Sequence, residues 1–322
     1  MFRRLLKEVP ALKRVARTVS EKTGRSFLFH FLDSYYCWLR YGCRPVQYSV
    51  GQFYNLRPYD RRRTYTMRSA AKLIWLDDKD VRPILNNKDQ FNRLYAPFIR
   101  RDWLYAKEAS VDEITAFFNN HDRVFVKPVD LNRGKGMKRV EKSEFTASMA
   151  EEIAGRNILL EQCIVQHPAL EFGGQSINTI RLTTLIDKQG KVHVLKSMLR
   201  CGIGESVVDN FCSGGVAYPV DLATGLVEGS GIQLRYDSLS PVYVHPGTDI
   251  VMLGKAIPFW KETLDLVERA ALHEPKLRFI GWDVAITPQG PELVEGNTFP
   301  GASLVDMAGS KRNVYAEIVS LI

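Results

Sequence analysis

The sequence has no apolar run near the roughly 20 residues that span a bilayer, so we expect no membrane-spanning helix. Its N-terminus has charged residues where a signal peptide needs an apolar segment, which argues against secretion. The five cysteines include no Cys-x-x-Cys pair, and their odd number does not suit a disulfide framework. We therefore expect reduced thiols in a cytoplasmic protein without a structural zinc site.

Two common kinds of catalytic site are also missing. The six histidines form neither a metal-ligand pair nor a triad with serine or cysteine, so no side-chain nucleophile is indicated. The P-loop pattern Gly-x-x-x-x-Gly-Lys-Ser/Thr is absent as well. The chain has no repeats and no linker rich in glycine, serine and proline, so we expect any domain boundary to be a change of architecture.

What the chain has in excess is positive charge, a net +8 over 322 residues. Residues 1–25 hold eight lysines and arginines against two glutamates, and interleaved apolar residues predict a basic amphipathic helix that Pro10 interrupts. Two interpretations stay open: the helix packs on the rest of the chain, or it contacts the inner face of a membrane. No nucleic-acid reader motif accompanies the charge, so we expect no nucleic-acid partner.

The pattern of apolar residues changes along the chain from helical to strand-like. Residues 27–70, rich in aromatic residues and arginine, predict short helices, and helical patterns continue to about residue 120. A further helix is predicted over 251–273 and another at the C-terminal end. The candidate strands lie at 123–127, 157–161, 179–186, 192–200, 281–286 and 292–297.

The last two candidate strands form a hairpin with an acid in each strand. Since side chains alternate along a strand, a connection at residues 287–291 places Asp283, Glu295 and Asn297 on one face. Opposed carboxylates repel by about 0.2–1 kcal/mol, and by more when buried. A divalent cation turns this repulsion into binding, and two carboxylates with an amide suit Mg²⁺ or Mn²⁺ better than zinc. The alternative is a surface hairpin with salt-bridged acids. The expected pairs are Asp283 with Glu295, Gly281 with Asn297, and Ile286 with Glu292.

A basic loop containing glycine follows the strand that ends at Lys127. Gly134 and Gly136 let backbone N–H groups approach phosphate oxygens, and Lys127 supplies a positive charge. The residues after Gly136 predict a returning strand, as in a hairpin lid over a nucleotide. An ordinary turn is the alternative.

Three further stretches place polar residues among apolar ones. The strand leading to Glu161 and the extended residues after it offer backbone groups to an adenine edge, although a buried strand followed by a turn fits equally well. Arg181 lies in a β-branched strand, where an unpaired guanidinium is costly. Arg200, with Asn210 after it, suits charge stabilisation on a transferring phosphoryl group. A structural ion pair is the alternative for both arginines.

Taken in order along the chain, these features resemble the ATP-grasp enzymes. The stretches SINTIRLTTL and GWDVAITPQGPELVEGN resemble the sugar-transfer-associated ATP-grasp group in particular, over roughly residues 75–310. The resemblance implies an α+β fold in which two subdomains grip ATP between antiparallel sheets. We accordingly expect a basic, mostly helical region at 1–95 and an ATP-grasp domain at 96–322. That domain would divide into a lid subdomain over about 96–165 and a metal and catalytic subdomain over about 166–322.

The same resemblance implies a role for each matching residue. Lys88 and Lys127 would bind the ATP phosphates, and Gly134 and Gly136 would belong to a mobile lid. Glu161 and Ile164 would form the adenine and ribose hinge, and Arg181 would bind the nucleotide. Lys127, Arg200 and Asn210 would stabilise charge during catalysis, while Asp283, Glu295 and Asn297 would coordinate Mg²⁺ or Mn²⁺.

The reaction that the resemblance implies is an ATP- and Mg²⁺-dependent ligation. A carboxylate becomes an acyl phosphate, and an amine opens it to give an amide, with release of ADP and phosphate. The family label implies surface-polysaccharide biosynthesis or modification, with a small or sugar-linked carboxylate and an amino acid or amino sugar as substrates. Two alternatives stay open: a kinase acting on sugar or lipid hydroxyls, and a non-catalytic nucleotide-binding protein at the membrane.

Overall fold

The computed structural model describes residues 2–130, 136–174, 176–204, 214–233, 240–298, 300–301 and 314–322, with side chains from residue 8 onward. The helices in this part of the chain are α1 Phe2–Thr23, α2 Phe27–Tyr41, α3 Pro45–Val50, α4 Pro58–Arg63, α5 Met67–Leu73, α6 Lys88–Leu94, α7 Val111–Asn120, α8 Ala147–Ile153, α9 Trp260–His273 and α10 Val314–Leu321. The strands are β1 Trp103–Tyr105, β2 Arg123–Pro128, β3 Lys138–Glu141, β4 Ile158–Gln162, β5 Thr179–Ile186, β6 Val192–Cys201, β7 Val216–Pro219, β8 Ile232–Gln233, β9 Phe279–Thr287 and β10 Gly290–Thr298.

The strands form two antiparallel sheets. The smaller sheet has the order β1-β4-β2-β3, and the larger one has the order β10-β9-β5-β6-β7-β8. With the helical region that precedes them, these sheets confirm the predicted α+β fold class. Each candidate strand from the sequence is present to within two residues at either end, whereas β1, β7 and β8 have no counterpart in the prediction.

The core of the larger sheet lies between its strands and helix α9. Trp282, Val284 and Ile286 project from β9 to this side, where they share a buried cluster with Val267 and Ala270 of α9. Because side chains alternate along a strand, the odd-numbered residues of β9 point to the opposite face of the sheet. One end of that face, at Phe279, packs in another apolar cluster with Tyr65 and Val314, and the acids of the hairpin lie farther along it.

Helices α7 and α8 cover the smaller sheet. The ring of Phe118 in α7 stacks on that of Phe145, with centroids 4.3 Å apart, inside a second apolar cluster. Helix α7 begins with a capping box, because Ser110 and Glu113 each accept a hydrogen bond from the other's backbone N–H. Each sheet thus has its own core.

The N-terminal helices form a further cluster, in which α1 packs against α2 and α3. Val15 and Val19 of α1 are fully buried beside Cys37 of α2 and Tyr48 of α3. Helix α1 continues through Pro10, so the predicted interruption is wrong. Burial of the apolar residues that follow outweighs the backbone hydrogen bond that proline cannot make. In the described chain, no helix is both long and apolar enough to cross a membrane.

Helix α9 is shorter than the sequence predicts, because it begins at Trp260 and not at residue 251. Residues 251–259 form turns and isolated bridges instead. Gly254 and Phe259 have positive φ angles of 78° and 54°, and Pro258 lacks a backbone N–H. These three residues are incompatible with a continuous helix.

The β9–β10 hairpin has the predicted register at the acidic residues. Asp283 pairs with Glu295, and Gly281 pairs with Asn297. Both predictions are confirmed. The two carboxylates therefore face each other across the hairpin, as the sequence analysis expects.

The hairpin connection itself is shorter than predicted. Residues 288–289 alone form the turn, so Ile286 pairs with Pro291, and the predicted pairing of Ile286 with Glu292 is wrong. A β-bulge at Val294 then adds one unpaired residue to β10. The extra residue offsets the shorter turn, so the predicted and observed registers agree beyond the bulge.

Candidate active site

Charged side chains gather on the face of the larger sheet opposite α9. The amide Nδ2 of Asn297 lies 3.0 Å from Glu295 Oε1 and 3.5 Å from Asp283 Oδ2, so it donates to the acid of each strand. The hairpin thus brings together the three residues that we expect to be metal ligands.

Asp283 is neutralised by two arginines from the neighbouring strands. Arg181, its partner in β5, donates from Nε to Oδ1 and from Nη2 to Oδ2, the latter at 2.8 Å. Arg200 of β6 donates from Nη1 to Oδ1 at 2.7 Å. Burial alone would raise the pKa of Asp283, but the two guanidinium charges outweigh it and hold the pKa well below its usual range. Asp283 is therefore a buried, permanently ionised carboxylate.

Glu295 forms no salt bridge with any residue of the described chain, although it lies beside Asp283. The Glu295 side chain is exposed at the protein surface, while the protein atoms around its carboxylate cost it part of its hydration. This loss of hydration, together with repulsion by Asp283, raises the pKa of Glu295 to about 7. Near neutral pH this carboxylate is balanced by a proton or by another cation.

The residues at this end of the site fit Mg²⁺ or Mn²⁺. Asp283, Glu295 and Asn297 offer only oxygen ligands, which hard divalent cations prefer. The raised pKa of Glu295 marks a negative charge that a cation would balance. The described residues contain no group of three or more His, Cys, Asp or Glu side chains placed to hold a metal, and the hairpin itself supplies two carboxylates and one amide. The chemistry of the donors therefore agrees with the metal-binding role expected for them.

A second charged group surrounds the buried carboxylate of Glu161 in β4. Lys127 of β2 donates to Oε2, while Arg101 Nη2 and Asn92 Nδ2 donate to Oε1 at 2.9 and 2.8 Å. Burial would raise the pKa of Glu161, but the charges of Arg101 and Lys127 hold it well below its usual range. This carboxylate anchors Lys127, and the adenine-hinge role of Glu161 and Ile164 stays a prediction.

Arg101 connects this second group to the hairpin. Its Nη1 donates to the carbonyl oxygen of Leu293 at 2.7 Å, and its Nη2 lies 3.3 Å from the carbonyl oxygen of Val294 in the bulge. In the other direction, Glu292 Oε2 accepts the backbone N–H groups of Arg100 and Arg101 at 2.8 and 3.0 Å. These bonds fix the entry to β1 against β10 and so position the two charged groups relative to each other.

Lys88 lies close enough to both groups to be influenced by their charges. Its Nζ donates to the carbonyl oxygens of Pro128 and Val129, at the end of β2, at 3.1 and 3.3 Å. Burial and the positive charge of Lys127 lower the pKa of Lys88, while the negative charge of Glu295 acts in the opposite direction. The two lysines expected to bind ATP phosphates are therefore electrostatic neighbours.

The remaining expected residues lie at or beyond the edges of this arrangement. Gly136 follows residues 131–135 and has a φ of 70°, a conformation that favours glycine. Ile164 is half-buried just after β4. Gly134 and Asn210 lie outside the described residues.

Three buried polar residues of the site, Asn92, Arg101 and Glu292, are missing from the sequence prediction. Glu292 precedes Glu295 by three residues, a spacing that puts two side chains on opposite faces of a regular strand. Only the bulge brings both acids to the polar face. In the sequence, Asn92 and Arg101 are recognisable only as polar residues within an apolar pattern. That pattern does not identify the residue that each of them binds.

Comparison with known proteins gives a family match and several distant structural matches. A family model described as "Sugar-transfer associated ATP-grasp" matches residues 74–315. No curated protein matches the sequence. Similar solved structures include the ATP-grasp ligase PsnB complexed with a minimal precursor (12% identity, TM-score 0.45), D-alanyl-alanine synthetase A from Vibrio cholerae O1 biovar eltor (14%, 0.43) and the ADP complex of N5-carboxyaminoimidazole ribonucleotide synthetase (9%, 0.46). The matches cover 80%, 74% and 74% of this chain but only 64%, 64% and 51% of theirs, which is less than two thirds of each protein.

Proposed function

The chain belongs to the sugar-transfer associated ATP-grasp family, and we propose that it is an ATP- and Mg²⁺-dependent ligase that joins a carboxylate to an amine. The observation that carries the proposal is the imbalance of charge at the hairpin. Glu295 lies opposite the ionised Asp283 without a salt bridge to any described residue, and the pKa of Glu295 is raised to about 7. A bound metal–nucleotide complex would supply the missing positive charge.

In the proposed site, Lys88 and Lys127 bind phosphate oxygens of ATP as point charges. Glu161, which Arg101 also binds, holds the Lys127 ammonium group in position. The Mg²⁺ coordinated by Asp283, Glu295 and Asn297 would neutralise charge on the phosphates when bound. Backbone groups near Glu161 and Ile164 would contact the adenine and ribose, and the loop with Gly134 and Gly136 would close over the nucleotide.

The proposed reaction has two steps. An oxygen of the substrate carboxylate attacks the γ-phosphorus, the bond to the β-phosphate oxygen breaks, and an acyl phosphate and ADP form. The amine nitrogen then attacks the acyl carbon, phosphate leaves, and the nitrogen loses a proton to give the amide. Arg200, assisted by Asn210, stabilises the charge on the transferring group, while Arg181 keeps Asp283 ionised. The lid excludes water because an acyl phosphate hydrolyses.

The proposal also assigns a role to each part of the chain. Residues 96–165 would form the lid subdomain and residues 166–322 the metal and catalytic subdomain, after a basic helical region at 1–95. The substrates would be a small or sugar-linked carboxylate and an amino acid or amino sugar, in surface-polysaccharide biosynthesis or modification. The protein would act in the cytoplasm, with peripheral membrane contact through residues 1–25.

A screen for ADP release over sugar acids and amino acids tests the ligase proposal. We expect release that requires Mg²⁺, a carboxylate and an amine together, and that Asp283→Asn abolishes. Release of AMP would overturn the acyl-phosphate mechanism. A stable phosphorylated product formed without any amine would identify a kinase instead. If Asp283→Asn left cellular function intact, the protein would act as a non-catalytic nucleotide-binding protein.

A further inference from the structure

Helix α2 presents an apolar face to solvent. Leu28, Leu32, Tyr36 and Leu39 follow one another at intervals of three or four residues, so they align along one side of the helix. Their exposed fractions are 62%, 55%, 51% and 38%. We call these four residues the α2 stripe. A continuous exposed apolar surface of this kind marks an interaction site in a folded protein.

Helix α1 has no comparable surface among its described side chains. Its apolar residues Leu12, Val15, Ala16 and Val19 are all fully buried. The apolar face of the described part of α1 is therefore occupied by the protein itself. Among the described side chains of α1 and α2, the exposed apolar surface therefore lies on α2.

Positive charges lie at both ends of the α2 stripe. The Arg25 guanidinium lies over the ring of Phe29, 5.7 Å from its centroid, and Arg40 lies in the last turn of the helix. Asp33 is the only acidic residue of α2, and it is neutralised by Arg61, whose Nη1 and Nη2 lie 2.7 and 2.9 Å from the carboxylate oxygens. The stripe is thus bordered by positive charge without an uncompensated acid on its own helix.

A basic cavity of about 330 Å³ opens beside the C-terminal end of the α2 stripe. It is bounded by α2, α4, α5 and α10, and none of the described residues that line it is acidic. Arg68 Nη2 donates to the carbonyl oxygen of Leu39 at 2.6 Å, which joins the cavity wall to the last residue of the stripe. The cations that line it are Arg40, Arg61, Arg62, Arg68 and Lys72.

Only one of these five cations is neutralised within the part of the chain that the structure describes. Arg61 is paired with Asp33, whereas the other four form no salt bridge there. Like charges around one cavity repel each other. Phosphate oxygens would relieve this repulsion, and guanidinium groups bind them through paired N–H donors.

We propose that the α2 stripe and the basic cavity form one docking surface for an anionic phospholipid membrane. The stripe would lie at the boundary of headgroups and acyl chains, and the cavity would bind lipid phosphates. Exposed leucine and aromatic side chains next to uncompensated arginine and lysine are the combination that interfacial helices use on anionic lipid. The proposal deepens the peripheral contact proposed for residues 1–25 and is independent of the ligase reaction.

Vesicle flotation of the full chain tests the apolar part of this surface. We expect binding to phosphatidylglycerol vesicles and little binding to vesicles of phosphatidylcholine alone. Leu28→Ser combined with Leu32→Ser is expected to weaken binding at least about tenfold, because it removes the apolar area that enters the lipid. The matched control is Leu253→Ser with Leu272→Ser, since these leucines are 54% and 48% exposed elsewhere on the protein. The control is expected to bind like the wild type.

A second pair of variants tests the charged part. Arg62→Ala with Lys72→Ala is expected to weaken binding to phosphatidylglycerol vesicles roughly thirtyfold, since each charge near the surface contributes about 1 kcal/mol. Lys188→Ala with Lys261→Ala makes the same change in net charge away from the cavity and is expected to bind like the wild type.

Three results would overturn the docking surface. The first is a wild type that does not bind phosphatidylglycerol vesicles, and the second is a Leu28 and Leu32 double variant that binds them as well as the wild type does. The third is a double variant in which only the oligomeric state changes, because that result would assign the stripe to a second copy of the chain. The ADP-release screen without vesicles separates this proposal from the ligase proposal. We expect the docking variants to keep any release that the wild type shows.

Discussion

Asp283 and Glu295 lie directly opposite each other across β9 and β10, yet their charge partners differ. Two guanidinium groups neutralise Asp283, whereas Glu295 accepts from the amide of Asn297, shares a hydrogen bond with Asp283 and forms no salt bridge within the described chain. The pKa of Asp283 is consequently held low, and that of Glu295 is raised to about 7. One acid of the pair is a permanent anion, and the other must be balanced by a proton or a metal.

The raised pKa of Glu295 predicts that the metal-free protein loses stability as the pH rises from about 4.5 to about 7. Over this window the folded protein keeps a proton that the unfolded chain has released, so raising the pH disfavours the folded state. We expect Glu295→Gln to flatten this part of the profile, because an amide does not titrate. Thermal unfolding across the window measures the effect.

Two controls make the pH experiment specific. Asp77, whose pKa burial raises to about 6, contributes a slope of the same sign in both proteins, so the difference between wild type and variant isolates Glu295. Mg²⁺ is expected to restore stability to the wild type at the upper end of the window and to have no such effect on the variant. Identical profiles for the two proteins would contradict the unbalanced charge of Glu295.

Arg101 is expected to be essential for stability. Arg101→Met removes one cation from the buried Glu161 and two hydrogen bonds to the carbonyl groups at the β10 bulge. We expect the free energy of unfolding in urea to fall by about 3–5 kcal/mol, the usual result of leaving a buried charge without its partner. Arg123→Met, at an exposed arginine of β2, is expected to change it by less than about 0.5 kcal/mol. Equal losses would refute the importance of the buried pair.

Lys127 is predicted to contribute directly to nucleotide affinity. Lys127→Met removes a positive charge from the phosphate end of the proposed site, and a charge-assisted contact contributes about 1.5–3 kcal/mol. We therefore expect the Kd for ATP, measured by calorimetry, to rise at least about tenfold. Lys142→Met provides the control, because Lys142 is also a lysine near the smaller sheet but bonds the carbonyl oxygen of Asn119. Unchanged ATP affinity in the Lys127 variant would exclude the phosphate contact.

The position of the acids across the hairpin could be predicted from the sequence, but the path of the chain between them could not. Alternation along each strand is a local property, so it places Asp283 and Glu295 on one face once their register is known. The turn at 288–289 is shorter than predicted and the bulge at Val294 adds one residue to β10, so together they leave the pairing of Asp283 with Glu295 unchanged. Neither has a distinct signal in a run of apolar and acidic residues.

The partners of the buried charges depend on contacts between distant parts of the chain. Arg181 and Asp283 are 102 positions apart, and Arg101 and Glu161 are 60 positions apart. The sequence indicates that a buried guanidinium needs an anion, which the structure confirms for Arg181. It cannot identify the anion, because the choice follows from which strands become neighbours in the folded sheet. The solvent exposure of the α2 stripe could not be predicted from the sequence either, because an apolar helix face is normally buried.

The metal site at the hairpin is tested most directly by measuring ADP binding with and without Mg²⁺, using isothermal titration calorimetry. Glu295→Gln removes one proposed ligand, and Glu262→Gln makes the same change at an exposed position of α9. We predict that Mg²⁺ strengthens ADP binding at least about tenfold in the wild type and in Glu262→Gln, and not in Glu295→Gln. A wild type that binds ADP equally well in both conditions, or a Glu295→Gln protein that keeps the Mg²⁺ effect, would contradict the site.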